Sequence, residues 1–157
     1  MNFNIKPIDK SNYKEIIKLQ VGKAQTSFIE TTEQCLKEAK ENSDWRTVGL
    51  YDGERPIGFA MYGLFQEEGE KGRVWLDRLL ISHENQGKGY GKIGVKSLLI
   101  RLYNEYGYNK IYLSVYENNE VAIKLYKEIG FLFNGEVDIN GEKVMVINLS
   151  KMVQEDD

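Results

Sequence analysis

The spacing of apolar and polar positions divides the chain into strands and helices. FNIKPI (3–8) alternates and reads as a strand. SNYKEIIKLQ (11–20) sets Tyr13, Ile16, Ile17 and Leu19 at helical spacing, with Ser11 as the expected N-cap and Glu15 near the first turn. TTEQCLKEAKEN (31–42) reads as a second helix, capped by Thr31 or Thr32. TVGLY (47–51) and RPIGFAMYGLF (55–65) flank Asp52-Gly53 as a hairpin; EEGEKG is the next turn and RVWLDRLLI (73–81) the third strand of the meander. Leu98, Leu99, Leu102 and Tyr106 follow Val95 at intervals of 3, 4, 7 and 11, one face of a helix that Gly107 ends. KIYLSV (110–115) is a strand again, so 73–115 forms a β-α-β unit. In NEVAIKLYKEI (119–129), Val121, Leu125 and Ile129 recur every four residues as an apolar helical face, and Gly130 is the stop. FLFNGEVDI and EKVMVINL are strands joined by Asn140-Gly141, a strong hairpin signal. The order β-α-α-β-β-β-α-β-α-β-β predicts an α+β fold, a mixed, mostly antiparallel sheet flanked by helices.

With 157 residues, one domain over 1–149 can bury a substantial core, and the polar tail SKMVQEDD leaves 150–157 frayed. The net charge of −3 argues against nucleic acid, which usually needs a basic face, and mildly favours a cationic partner. Cys35 and His83 are the only residues of their types, so an intramolecular disulfide and a zinc cluster are both out of reach, and the expected chemistry is metal-independent. No apolar run approaches the roughly 18 residues of a membrane span. The start MNFNIKPIDKSNYKE lacks a basic segment followed by an apolar one. The expectation is a cytoplasmic protein that does not engage a membrane.

HENQGKGYGKIG (83–94) lies between an apolar strand and an amphipathic helix. Such a turn offers an anion unpaired N–H groups and the positive end of a helix dipole. Gly89-Tyr90-Gly91-Lys92-Ile93-Gly94 fits G-x-G-x-x-G, the dinucleotide pattern, and Gln86-Gly87-Lys88-Gly89-Tyr90-Gly91 fits [RQ]-G-x-G-x-[GA], a coenzyme A pattern. Context opposes the first. Half the chain precedes the motif, an antiparallel hairpin closes the sequence where further β-α-β crossovers are needed, and Glu117 comes too late for a ribose-binding acid. A Walker A loop also fails, because Ile93 stands where Ser or Thr is required.

The second pattern has a downstream companion. Leu79, Ile81, Gln86, Gly89 and Gly91 match L-x-[VI] leading to [RQ]-x-x-G-x-[GA]; Asn119, Ala122, Leu125, Tyr126, Gly130 and Phe131 match N-x-x-A-x-x-[LF]-Y-x-x-x-G-F. Together they resemble the GNAT superfamily of acetyl-CoA-dependent N-acetyltransferases, and the element order matches from residue 3 to 149. SFIETTEQCLKEAKE, VGLYDGERPIGFAMYGLF, GRVWLDR and FNGEVDINGEKVMV look like the small bacterial spermine/spermidine acetyltransferases.

The resemblance implies direct attack of an amine on the acetyl thioester. The backbone of Leu79 and Ile81 is then expected beside the pantetheine arm, with an N–H near Leu79 polarising the thioester carbonyl. Gln86 belongs to the cofactor motif. The amides of Gly87, Lys88, Gly89, Tyr90 and Gly91 would cradle the pyrophosphate, with Lys88 and Lys92 adding charge or simply solvated. Tyr126 would give a proton to the departing thiolate; a core tyrosine is the alternative. Asn119 either contacts the cofactor or caps its helix. Asp77 is the candidate base, on the strand face shared with Trp75 and Leu79; the alternative is an ion pair with Arg78, Arg73 or a lysine. An amine of pKa near 10.4 arrives protonated, so an ordinary carboxylate must act through water or be raised by burial. Glu30 and Glu33 are candidate acceptor residues in the acidic stretch 28–44, with Glu67, Glu68 and Glu70 beside the entry to the Asp77 strand; a solvated helix start, where acids favour the dipole, is the alternative. Trp75 and Tyr62 offer aromatic faces for a cation, or pack in the core. Family members often dimerise, so a homodimer is expected. The rival functions are acetylation of another amine (a peptide N-terminus, an amino acid or an amine drug) and a non-catalytic acyl-CoA sensor.

Overall fold

A computed structural model describes residues 2–19, 37, 44–66 and 71–150. The elements are β1 (Phe3–Pro7), α1 (Tyr13–Ile17), β2 (Trp45–Asp52), β3 (Arg55–Phe65), β4 (Arg73–Ile81), a 3-10 turn (His83–Asn85), α2 (Tyr90–Tyr106), β5 (Lys110–Val115), α3 (Glu120–Ile129), β6 (Leu132–Val137) and β7 (Lys143–Asn148). The expected helix over 31–42 lies outside the described residues, apart from helical Lys37. Seven strands form one mixed sheet in the order β1-β2-β3-β4-β5-β7-β6. The β4–β5 pair is parallel, as a crossover through a helix requires, and the β1–β2, β2–β3, β5–β7 and β6–β7 pairs are antiparallel. The fold is α+β. The chain forms two compact units, Met1–Gly63 with Asp77–Val95, and Leu64–Leu76 with Lys96–Asp157. Because β4 and α2 each contribute to both, the units are not sequential domains.

In the first unit, β1 pairs with β2 from Phe3↔Asp52 to Pro7↔Val48. The β2–β3 register slips between Leu50↔Gly58 and Tyr51↔Pro56, which leaves Ile57 as an extra, bulged residue. The Ile57 carbonyl accepts from the Ser82 N–H at 2.9 Å, beyond the end of β4. A Cβ at Gly58 would lie 2.3 Å from the Leu80 carbonyl oxygen, so only glycine permits this close approach of β3 to β4. Ile16, Tyr51, Phe59, Met61 and Leu80 form the buried cluster, with Ile17 and Leu19 packed against it. Helix α1 is shorter than the sequence suggests, and Asn12 flanks its start instead of Ser11. The Ser11 hydroxyl is bound to the Asp9 carboxylate at 2.5 Å, a local turn that competes with capping.

In the second unit, β5 pairs with β7 from Lys110↔Asn148 to Val115↔Lys143. Ile111, Leu113, Val144, Met145 and Ile147 are buried along these strands, and Leu98, Leu99 and Leu102 on the expected face of α2. Gly107, at φ 73°, ends that helix by donating to the Tyr103 carbonyl at 2.8 Å. Helix α3 departs from expectation at Val121, which is 72% exposed, while Ile129 is buried; the apolar stripe belongs to the core only at its C-terminal end.

Replacing Gly58 by alanine should force β3 and β4 apart. The expected cost is about 1–3 kcal/mol, typical of overpacking, and at about 2–4 °C per kcal/mol it should be visible as a lowered Tm in a thermal melt.

Candidate active site

The glycine-rich segment lies within the first unit. Gly87 and Gly89 have φ of 77° and 85°, and a Cβ built at either would meet nothing within 4 Å. Glycine is therefore required by backbone conformation, and the loop faces open space. The Gly89 carbonyl accepts from the Ile93 N–H at 3.3 Å, so Gly89 is the N-cap of α2. The N–H groups of Tyr90, Gly91 and Lys92 then have no intrahelical acceptor. The first turn of α2 carries no acid, and Lys88 and Lys92 are exposed beside it. This is a fit for a phosphate-bearing group. Gly94 separates the two motif readings. The third glycine of a dinucleotide fingerprint serves close helix–strand packing. Here a Cβ would meet Phe3, Leu50 and Leu79 at ordinary distances of 3.7–4.0 Å, so the position needs no glycine.

The loop is held from within. Ser82 and Asn85 are buried, and Asn85 Nδ2 donates to Ser82 Oγ at 2.6 Å. Arg55 Nη1 donates to Asn85 Oδ1 at 2.5 Å and Nη2 to the Tyr90 hydroxyl at 3.1 Å. That hydroxyl donates to Asp52 Oδ2 at 2.5 Å, which raises the Tyr90 phenol above its ordinary value and lowers the Asp52 carboxyl. Tyr90 thus turns its phenol inward, leaving only its backbone amide at the helix start. Gln86 donates from Nε2 to the Ile81 carbonyl at 2.9 Å, tying the loop to the last residue of β4. Periodicity gave no sign of Asp52, Arg55, Ser82 or Asn85 as site residues. The one available signal was that all four are polar residues in the hairpin turn or the glycine-rich segment.

On β4, Leu79 is half-buried, with Cδ1 4.0 Å from a Cβ position at Gly94 on α2. Asp77 is paired with Arg78, Oδ2 to Nη1 at 2.8 Å, with both side chains mostly buried. Of the expected ion-pair partners, Arg78 is observed. Arg73 goes to Glu136 in the second unit, bidentate at 2.9 and 3.0 Å. Trp75 packs on Tyr112 with centroids 5.4 Å apart, and Tyr62 is a core residue at 1% exposure.

In the second unit, Asn119 is the N-cap of α3, its side chain accepting from the Ala122 N–H at 3.4 Å. Tyr126 is fixed from both ends. Gly130, at φ 128°, reverses the chain so that the Gly130 and Phe131 amides both donate to the Tyr126 carbonyl, at 3.1 and 3.0 Å. Phe131 then meets the Tyr126 ring edge-on at 5.7 Å. The G-F pair of the motif is thus the brace of its tyrosine. Among the described residues the Tyr126 hydroxyl has no hydrogen-bond partner, and burial alone pushes its pKa up to about 12. Glu30, Glu33, Glu67, Glu68 and Glu70 lie outside the described residues.

Residues 13–131 match the acetyltransferase (GNAT) family. A spermine/spermidine N(1)-acetyltransferase of Bacillus subtilis is 49% identical over 152 residues, 95% of this chain and 100% of that protein. Among solved structures, a Vibrio cholerae spermidine N-acetyltransferase in complex with CoA and spermine superposes with a TM-score of 0.75 at 22% identity, covering 97% of this chain and 98% of that one. An aminoglycoside acetyltransferase AAC(6')-Ib in complex with coenzyme A gives 0.82 at 18% identity, covering 99% and 100%. Those two likenesses establish the shared fold. The chain belongs to the GNAT acetyltransferase family.

Asn119→Ala should remove the cap of α3 and cost about 1 kcal/mol, with Asn119→Asp retaining most of the stability. Thermal melts of the two variants check this. If Asn119 acts only as a cap, the apparent affinity for acetyl-CoA should not change in either.

Proposed function

We propose that the chain is an acyltransferase that moves an acetyl group from acetyl-CoA to a primary amine of spermine or spermidine. The observation that carries the chemistry is the half-buried phenol of Tyr126, whose hydroxyl has no hydrogen-bond partner among the described residues and whose pKa burial raises to about 12. The acceptor class rests on the 49% identity to the Bacillus subtilis spermine/spermidine enzyme along its whole length.

Acetyl-CoA supplies the activated acetyl thioester. In this reading the N–H groups from Gly87 to Lys92 bind its pyrophosphate, where a helix N-terminus and two lysines favour negative charge. The β4 backbone at Leu79 and Ile81 aligns the pantetheine arm, and the Leu79 N–H stabilises charge growing on the carbonyl oxygen. Gln86 already occupies the Ile81 carbonyl and holds the strand end against the loop. Tyr126 directs its hydroxyl hydrogen to the sulfur. With a pKa of about 12 the phenol keeps its proton across the working range. Full transfer to a thiolate near 8.5 is uphill by about 5 kcal/mol. Tyr126 therefore acts first as a hydrogen-bond donor to the developing thiolate, and any proton it passes on is replaced by one from the attacking nitrogen. Asp77, neutralised by Arg78, receives the ammonium proton through water. Glu30 and Glu33, with Trp75, bind the polycation. The reading includes a cytoplasmic homodimer. The support for a dimer is strand β6, last in the sheet order, where Leu132 and Val137 are 67% and 60% exposed. Among the described residues no helix is long and apolar enough to cross a membrane.

Thiol release from acetyl-CoA, measured with spermine, spermidine, putrescine, amino acids, peptides and aminoglycosides, should be confined to the polyamines. Turnover confined to aminoglycosides would replace the acceptor and keep the family chemistry. Tyr126→Phe should lower kcat by about 10²-fold while the KM for acetyl-CoA changes little, the signature of a contact made in the transition state. The sign of the pH dependence follows from the raised phenol: its proton is present below about 12 and lost as pH rises through that value. The wild-type pH–rate profile should therefore rise towards the amine pKa near 10.4 with no falling limb from Tyr126 on the way. A profile for Asp77→Asn that matches the parent would remove the relay.

A further inference from the structure

The polar cluster behind the glycine-rich loop serves no step of the chemistry above, yet it joins the two ends of that loop. Upstream, Asn85 closes the 3-10 turn; downstream, Tyr90 is the first residue of α2. A single guanidinium touches both, Arg55 Nη1 at Asn85 Oδ1 and Nη2 at the Tyr90 hydroxyl. Because arginine only donates, the Asn85 amide has one possible orientation: oxygen towards Arg55, nitrogen towards Ser82. The guanidinium is planar and rigid, so the spacing of its two nitrogens fixes the spacing of the loop ends. Asp52 completes the clamp. It accepts from Tyr90, lies 3.7 Å from Arg55, and is anchored by the Asn2 N–H at 2.9 Å. Between the clamped ends stand Gly87 and Gly89, with no neighbour within 4 Å of either Cβ position. Glycine loses the most conformational freedom on ordering, and such a loop must be ordered to present converging N–H groups to an anion.

We propose that Arg55 and Asn85, with Asp52 and Tyr90, are positioning residues for the pyrophosphate of acetyl-CoA: a clamp from the β2–β3 hairpin that holds the loop in its binding conformation before the cofactor arrives. The proposal rests on the reading of Gly87–Lys92 as the pyrophosphate cradle. It adds that donor selectivity depends on Asp52 and Arg55, which lie about thirty positions upstream of the loop and do not touch the donor.

The test compares acetyl-CoA with S-acetylpantetheine, which has the same thioester and arm but no pyrophosphate. Arg55→Lys keeps the charge and loses the fork. Asn85→Ala loses both amide bonds, whereas Asn85→Asp can accept from Arg55 and from the Ser82 hydroxyl. Arg55→Lys and Asn85→Ala should raise the KM for acetyl-CoA about tenfold, as loss of one part-buried, charge-assisted hydrogen bond would. The kcat at saturation, the KM for the amine and the kcat/KM for S-acetylpantetheine should stay near wild type, and Asn85→Asp should recover most of the acetyl-CoA KM. Equal losses on both donors would overturn the proposal in favour of a general folding role, and so would a lowered Tm with an unchanged ratio of the two donors. Gly89→Val tests the underlying reading separately. If it leaves the acetyl-CoA KM unchanged, the cradle itself is wrong; if it raises that KM while Arg55→Lys does not, the cradle stands and the clamp falls.

Discussion

A helix cannot satisfy its own first N–H groups, and at the start of α2 nothing in the local sequence does it instead. No serine, threonine or aspartate stands at the cap; Gly89 does, at a φ of 85° that favours glycine, as does the 77° of Gly87. That unsatisfied helix end orders the surrounding structure. The bulge at Ile57 and the missing side chain of Gly58 bring β3 against the end of β4. Gln86 fastens that end to the loop, and the Arg55 fork sets the distance across it. Behind the loop Ser82, Asn85, Arg55, Tyr90 and Asp52 are paired with one another, so the donors left over there are those facing open space, where an anion can use them.

The tyrosine of α3 applies the opposite principle. Where the loop leaves donors in the open, the fold half-buries one. Desolvation disfavours the phenolate, so the hydroxyl holds its proton far into alkali. Gly130 and Phe131 make the arrangement durable by binding the Tyr126 carbonyl and bracing its ring.

Much of this was legible in the sequence. The strand boundaries at Arg55–Phe65, Arg73–Ile81 and Lys110–Val115 fall where the alternation and turn signals put them, because each is bounded by glycine, a charged turn or both. The glycine motif and the tyrosine motif identified the family, since both encode backbone geometry that few other residues can adopt. What escaped were features set by tertiary contact. Val121 repeats at helical spacing yet is exposed, because periodicity cannot say where a helix leaves the core. Ser11 is capping-competent but is captured by Asp9. For Asp77 the sequence left a base and an ion pair with Arg78, Arg73 or a lysine side by side, and the fold shows the Arg78 pair at 2.8 Å between neighbours whose side chains strand alternation would send to opposite faces. The Arg55–Asn85 contact spans thirty positions and has no local signature.

Amide chemical shifts of the ¹⁵N-labelled protein, followed while CoA and then pantetheine are titrated in, address the cradle most directly. The amides of Gly87, Gly89, Tyr90 and Gly91 should move strongly with CoA and hardly at all with pantetheine, since only CoA carries the pyrophosphate. Saturable CoA binding with those four amides unmoved would place the phosphates elsewhere and remove the basis for both the loop and its clamp.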